Sequence, residues 1–306
     1  MNKLPYILLD VFTEKPFGGN QLAVFLNGEG LTTDTMQTIA KELNLSETVF
    51  MFPPTKDRPH FKLRIFTPAM ELPFAGHPTI GTAFLLGEKN LVPGLTNGMN
   101  TVVVEENIGK ITLNLYIQNG SMVKAEMVQP IPEIVGKVED VSAVASLLSL
   151  PEEAIDSSLP IQSISAGIPF LFIPVKSLSD MENIKFRLDV WQERFSANEN
   201  TRHIFAFSLE TEGDAQVHSR MFAPALGISE DPATGSASGP LGFYLVQNKV
   251  IPVMNNLVKI ISEQGIEMGR PSKIDITLEM TDEGVKRVLI GGSAFIMGEG
   301  TLFLNE

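Results

Sequence analysis

The chain has 306 residues, 43% of them hydrophobic and 19% charged, with a formal charge of −13 and no cysteine. That balance builds ordinary globular cores, gives about two domains at roughly 150 residues each, and excludes the clustered Lys and Arg that a nucleic-acid partner demands. The missing cysteines remove disulfides, thiolate nucleophiles and thiolate metal sites together.

The opening MNKLPYILLDVF is interrupted too soon by Asp10 for a signal peptide, and no apolar run approaches about 18 residues, so a cytoplasmic protein with no membrane partner is expected. Tyr6 to Val11 and Gln21 to Phe25 read as strands joined by the turn-rich TEKPFGGN, where Phe17-Gly18-Gly19-Asn20 brings backbone into a close approach. This stretch lacks the strand-then-helix GxGxxG pattern of a dinucleotide site. Thr32 or Thr33 caps a helix that carries Met36, Ile39, Ala40 and Leu43 at i, i+3, i+4, i+7 spacing and ends near Asn44.

Ser46 to Phe52 is a strand, apolar on both faces from Val49 onward. Period-two alternation sets Glu47 on the side of Val49 and Met51, where a carboxylate is costly to bury. Two readings stand here. Glu47 ends a strand and reaches water, or desolvation raises its pKa so that it can take and return a proton near neutral pH. Phe61 to Phe66 is the next strand, and Phe74-Ala75-Gly76-His77-Pro78 leads into TIGTAFLLG. Proline favours the first helical position, which puts His77 at the cap with its ring near the helix's positive end. The helix has almost no polar face and should be a buried core helix. Strands at 101–105 and 110–117 follow, with turns at Asn107-Ile108-Gly109 and Gln118-Asn119-Gly120.

Gln129-Pro130-Ile131-Pro132-Glu133 reads as an interdomain linker. It divides the chain into domains 1–128 and 129–306, with the last strand free to return to the first domain. Beyond it come a helix over 140–150, a second version of the Phe17 to Asn20 region around Gly167-Ile168-Pro169-Phe170, and a helix with Trp191, Arg194 and Phe195 ending by Asn198. Strands at 203–209 and 216–222 follow. The remainder, 258–264 and 273–304, is β-rich with glycine turns at Gly291-Gly292 and Gly298-Glu299-Gly300. Between these, Arg220 to Leu245 places Glu230, Asp231, Thr234, Ser236 and Ser238 among small residues and prolines before the apolar LGFYL, the pattern of a turn that delivers a helix N-terminus to a ligand. Pro240 falls inside that helix, where it costs a hydrogen bond or forces a late start, so a beginning nearer Ser238 is expected.

This region has a partner earlier in the chain. Arg64-Ile65-Phe66-Thr67-Pro68-Ala69 aligns with Arg220-Met221-Phe222-Ala223-Pro224-Ala225 at an offset of 156, from 64 to 220. After two extra residues, Ala75-Gly76-His77-Pro78 aligns with Ala233-Thr234-Gly235-Ser236 at 158, as do Gly81 with Gly239 and Glu105 with Glu263. A near-constant shift over about forty residues argues for two copies of one fold unit. Two helix N-termini related in this way are expected to face each other across a cleft and to cradle a carboxylate or enolate despite the acidic surface. A Ser-His-Asp hydrolase from Ser236, His77 and Asp231 is disfavoured because no G-x-S-x-G elbow is present. His60, His77, His203 and His218 are dispersed, without metal-ligand spacing.

Together, DVFTEKPFGGNQLAVFL, LSETVF, RIFTPAMELPFAGHPTIGTA and EDPATGSASGPLG resemble the PhzF-like family, the phenazine-biosynthesis isomerase-like proteins, across essentially the whole chain. The resemblance implies the α+β fold of diaminopimelate epimerase: two pseudo-symmetric domains, each a mostly antiparallel β-sheet wrapped around a central buried helix. In the epimerases a catalytic cysteine precedes each central helix. Setting those motifs on AGH and ATGSA puts Ala75 and Ala233 there, which excludes a two-cysteine racemase. The resemblance implies instead a proton shift handled by Glu47. His77 and Asp231 would orient or protonate polar groups, and Ser236 with flanking backbone N–H groups would hold a carboxylate. Asn20, Gly76, Thr234 and Gly235 are expected to line the substrate site. No cofactor, no metal and a homodimer are implied. A cofactor-independent isomerase of a small carboxylate-bearing metabolite is the leading expectation. The alternative is a small-molecule binding or interaction protein that keeps the site without turnover.

Overall fold

The computed structural model describes residues 2–56 and 60–304. The chain forms two compact units, residues 1–128 with 291–306, and residues 129–290. The first is built from β1 (Asn2–Val11), β2 (Asn20–Phe25), α1 (Thr33–Leu43), β3 (Glu47–Phe52), β4 (Phe61–Phe66), β5 (Glu71–Leu72), α2 (Gly76–Glu88), β6 (Gly98–Glu106), β7 (Gly109–Gln118) and β8 (Ser121–Gln129). The second carries β9 (Glu133–Lys137), α3 (Val141–Leu148), β10 (Gln162–Ser165), β11 (Pro169–Pro174), α4 (Leu178–Asn183), α5 (Leu188–Arg194), β12 (Ile204–Ser208), β13 (Val217–Ala223), β14 (Ile228–Asp231), α6 (Gly235–Gln247), β15 (Leu257–Gln264), β16 (Ser272–Thr281) and most of β17 (Gly284–Gly292). β18 (Ala294–Leu304) then lies antiparallel on β1 in the first unit.

In the first unit the strands run β18, β1, β2, β3, β4, β6, β7, β8 across one sheet, parallel at β2–β3 and β4–β6 and antiparallel elsewhere. The sheet curls around α2, which is buried at every residue from Gly76 to Gly87 because its sequence offers no polar face. Gly81 is required by that packing: a Cβ there would lie 2.6 Å from both Leu22 Cδ2 and Val11 Cγ2. α1 lies on the outer face. Thr32 caps it by accepting from Thr35 N–H, Asn44 closes it in the left-handed region at φ 51°, and Met36, Ile39 and Ala40 pack on Phe25, Phe50 and Phe66.

The second unit repeats this order of bonding. β10–β11 is antiparallel, β11–β12 parallel, β12–β13 antiparallel, β13–β15 parallel and β15–β16 antiparallel, the same sequence of senses as β1–β2, β2–β3, β3–β4, β4–β6 and β6–β7. The buried helix of this unit is α6, packed on β10, β11 and β16. α3, α4 and α5 close the outer face over Leu171, Ile173, Ile204 and Phe222. The repeat extends to side chains. Arg64 donates from Nε and Nη2 to Glu71 at 2.8 and 2.6 Å and lies 5.2 Å over Phe66. Its aligned partner Arg220 donates from the same atoms to Glu230 at 2.8 and 2.9 Å and lies 5.3 Å over Phe222.

Three local expectations are corrected. Pro78 is the third helical residue of α2, so Ala75 is the cap and His77 stands at the second position. The N–H that proline lacks there is one of the orphan donors of a first turn, so a later proline costs nothing. α6 begins at Gly235 and not near Ser238; Pro240 sits at its sixth position, and the helix forgoes the bond to the Ser236 carbonyl while its first turn stays intact. Gly291, Gly292, Gly298 and Gly300 lie within β17 and β18 and do not make turns. The reason at Gly300 is close approach: a Cβ would come within 2.6 Å of the Tyr6 ring across the β1–β18 pairing.

Candidate active site

In the first unit, the loop after β1 is shaped by three residues in the left-handed region, Phe12, Phe17 and Gly19 at φ 67°, 68° and 63°. Phe17 N–H donates to the buried Asp10 Oδ2 at 2.8 Å, anchoring the turn. At Gly19 a Cβ would run into Val11 and Thr13, so only glycine closes it. The turn delivers Asn20, fully buried at the start of β2, to His77, with Asn20 Nδ2 at 3.1 Å from His77 Nδ1. Glu47 opens β3 opposite Leu22, is 7% exposed, and sets Oε2 at 3.3 Å from the same Nδ1.

Burial pushes His77 down to about 3, with the Gln21 backbone pulling weakly the other way, so the imidazole is neutral across the physiological range. Nδ1 is in hydrogen-bond contact with the Asn20 amide, and Nε2 is buried and meets no partner among the described residues. Ala75 has no side-chain acceptor and Pro78 has no N–H, so the first turn of α2 presents the N–H groups of Gly76 and His77 uncapped by any side chain among the described residues.

In the second unit, Gln264 at the end of β15 organises the corresponding turn. Its Oε1 accepts from Thr234 N–H at 3.1 Å, and its Nε2 donates to Asp231 O at 2.7 Å and to Thr234 Oγ1 at 3.0 Å. The Thr234 hydroxyl then donates to Asp231 Oδ2 at 2.6 Å, which gives a chain of fixed sense from Gln264 through Thr234 to Asp231. The Thr234 hydroxyl is thereby engaged and does not cap α6. Gln129 Nε2 donates to Gly235 O at 3.0 Å, and half-buried Ser236 occupies the second helical position, as His77 does in α2.

Residues 9–300 match the family model described as phenazine biosynthesis-like protein. The chain belongs to this family. It is 34% identical over 299 residues to the trans-2,3-dihydro-3-hydroxyanthranilate isomerase of Pseudomonas chlororaphis, a match covering 98% of this chain and 99% of that one. It is 36% identical over 305 residues to an uncharacterized isomerase of Mesorhizobium japonicum, covering 98% of each. A phenazine biosynthesis protein of the PhzF family from Bacillus anthracis shares the fold at a TM-score of 0.89 and 26% identity, over 99% of this chain and 100% of that one. This phenazine biosynthesis-like chain is an isomerase. No helix among its described residues is long and apolar enough to cross a membrane, and no group of three His, Asp or Glu side chains among them is arranged for a metal ion.

Of the expected site residues, the structure brings Asn20, Glu47, Gly76 and His77 together in the first unit, and Asp231, Thr234, Gly235 and Ser236 together in the second. Thr234 uses both its N–H and its hydroxyl inside its own cluster. Sequence reasoning missed Gln264 and Glu106. The second is a carboxyl only 5% exposed at the end of β6, bonded to Thr79 Oγ1 at 2.5 Å. Burial raises Glu106 to about 8, against opposing contacts from Thr79 and the Ala75 backbone. The signal was present, since the Glu105 and Glu263 alignment places Glu106 beside Gln264.

Proposed function

We propose that this isomerase moves a proton between two carbons of a small carboxylate-bearing metabolite, without a cofactor, and that Glu47 carries the proton. The observation that supports it most is the 3.3 Å approach of Glu47 Oε2 to the Nδ1 of a neutral, buried His77 at the start of α2. As a carboxylate, Glu47 removes a proton from a carbon next to an unsaturated system, and the C–H electron pair is delocalised into that system. The resulting carboxylic acid, held beside the neutral His77 ring, returns the proton to a second carbon, which restores Glu47. Atoms and charge balance within the one substrate, so no oxidant, reductant or metal enters.

The remaining roles follow from what each group has to offer. His77 Nε2, buried and without a partner among the described residues, is free to meet a polar group of the substrate. The uncapped N–H groups of Gly76 and His77 suit an anion or the charge that develops in the delocalised intermediate. In the second unit, Asp231 is oriented by Thr234 and Gln264 for a polar or protonating contact, and Ser236 with Gly235 at the start of α6 suits a carboxylate. The name of the Pseudomonas relative denotes a ring with a carboxylate and a hydroxyl beside carbon–carbon unsaturation, which is the class of substrate this chemistry needs. Family resemblance supports a cytoplasmic homodimer, to be read from the mass in solution.

The test is NMR in D₂O with trans-2,3-dihydro-3-hydroxyanthranilate and a pool of small carboxylate metabolites. Deuterium entering a carbon position of one compound as it isomerises supports the proposal. Line broadening without exchange would make the protein a binder and overturn it.

A further inference from the structure

Glu106 and Gln264 occupy the same place in the two units. Each ends the strand that pairs in parallel with the arginine-bearing strand, β6 beside β4 and β15 beside β13, and each reaches the turn that opens the buried helix. Gln264 holds that turn through the backbone N–H of Thr234, the residue that caps α6. Glu106 reaches Thr79 and the backbone of Ala75, the residue that caps α2.

Proton counting points to a protonated Glu106. The Thr79 hydroxyl oxygen lies 2.6 Å from Ala75 O and 2.5 Å from Glu106 Oε1, and both distances require a hydrogen between the oxygens. A backbone carbonyl has none to give, so the single Thr79 hydrogen points to Ala75 and the other belongs to Glu106. Glu106 Oε2 is buried with no partner among the described residues, a poor place for a carboxylate and an acceptable one for the C=O of an acid.

We propose that Glu106 is a positioning residue held as a neutral carboxylic acid, a chemical counterpart of Gln264, which fixes the first turn of α2 through Thr79 and leaves that turn's positive end to an anionic group of the substrate. An ionised Glu106 would set a negative charge inside the first turn of α2 and could keep Thr79 only by drawing the hydroxyl hydrogen away from Ala75 O. Among the described residues no charged side chain opposes this state: α2 presents Thr79 and neutral His77, while Lys62 on β4 and Lys110 on β7 stand opposite Glu105, whose side chain alternates to the other face. The inference rests on the isomerase reading for its consequence and on the structure alone for the protonation.

Two measurements keep these apart. Carbon-13 NMR of the glutamate-labelled protein, with the Glu106 signal assigned by its loss in Glu106→Gln, should show a protonated carboxyl at pH 7 that titrates with a midpoint near 8. The Gly76, His77 and Thr79 amide signals should move with that midpoint in the native sequence and stay fixed in Glu106→Gln. A Glu106 carboxylate already ionised at pH 7 overturns the proposal, whatever the protein's activity. With trans-2,3-dihydro-3-hydroxyanthranilate in D₂O, Glu106→Gln should exchange within about threefold of wild type at pH 7. It should lack the rise in KM, about tenfold between pH 7 and 9, expected of wild type from one titration near 8. A Glu106→Gln protein that folds and still shows that rise also overturns it. Absence of exchange in both proteins, with the NMR midpoint near 8, counts against the isomerase reading and leaves Glu106 as assigned.

Discussion

Replacing His77 with glutamine tests whether the ring beside Glu47 is neutral. Burial holds the native imidazole near 3, against an ordinary 6.5 in the unfolded chain. Between those values the unfolded chain binds a proton that the native state does not, so this group's contribution is complete above 6.5 and is lost as pH falls toward 3. At about 1.36 kcal/mol per pKa unit, the loss between pH 7.5 and 5.5 is about 1.4 kcal/mol. That window stays clear of the isoelectric region near 4.8. Glutamine cannot titrate and keeps a neutral polar group against Asn20. Urea unfolding of both proteins at the two pH values isolates the term, because every other titrating group, Glu106 included, is common to both and cancels. Wild type should lose about 1.4 kcal/mol more than His77→Gln on acidification. Equal losses would mean that His77 titrates as it does in water and would refute the neutral ring.

Other outcomes follow from packing and charge. Arg220→Ala should cost about 3–5 kcal/mol in urea unfolding, since a guanidinium only 8% exposed bonds Glu230 bidentately and the carbonyls of Met181 and Ile184. Arg64→Ala removes the matching pair at a side chain 18% exposed and should cost less, about 1–2 kcal/mol; the reverse order would contradict the ranking. Gly242→Ala drives a Cβ to 2.6 Å from Ile276 Cγ2 and 2.8 Å from Leu278 Cδ1 and should destabilise by about 1–3 kcal/mol, while Gly298→Ala meets nothing within 4 Å and should stay within about 0.5 kcal/mol on thermal unfolding.

Much of this molecule can be read from local pattern, and the exceptions share a cause. α2 declares itself through twelve successive residues without a polar face, and the structure buries Gly76 to Gly87. Glu47 stood between a solvated strand end and a buried carboxylate; the β2–β3 pairing, which sets it opposite Leu22 and next to His77, decides for burial. The glycines of β17 and β18 were misread because glycine marks both a turn and a close approach, and only the Tyr6 ring across the sheet separates the two at Gly300. Pro240 misled because its cost was weighed against the helix alone, whereas α6 is held at its start by Gln129 and at its cap by Gln264, both from strands distant in sequence. Glu106 went unread for the same reason: its chemistry comes from Thr79, twenty-seven residues away.

The proton-carrying role of Glu47 is tested most directly by Glu47→Gln. Glutamine keeps the size and the hydrogen-bonding reach to His77 but cannot accept a proton from carbon. With wild type and variant at equal concentration in D₂O, the rate of deuterium entry into a carbon position of the isomerised metabolite should fall by at least about a hundredfold in the variant, with an unchanged unfolding midpoint. Exchange at the wild-type rate in a folded Glu47→Gln protein would contradict it.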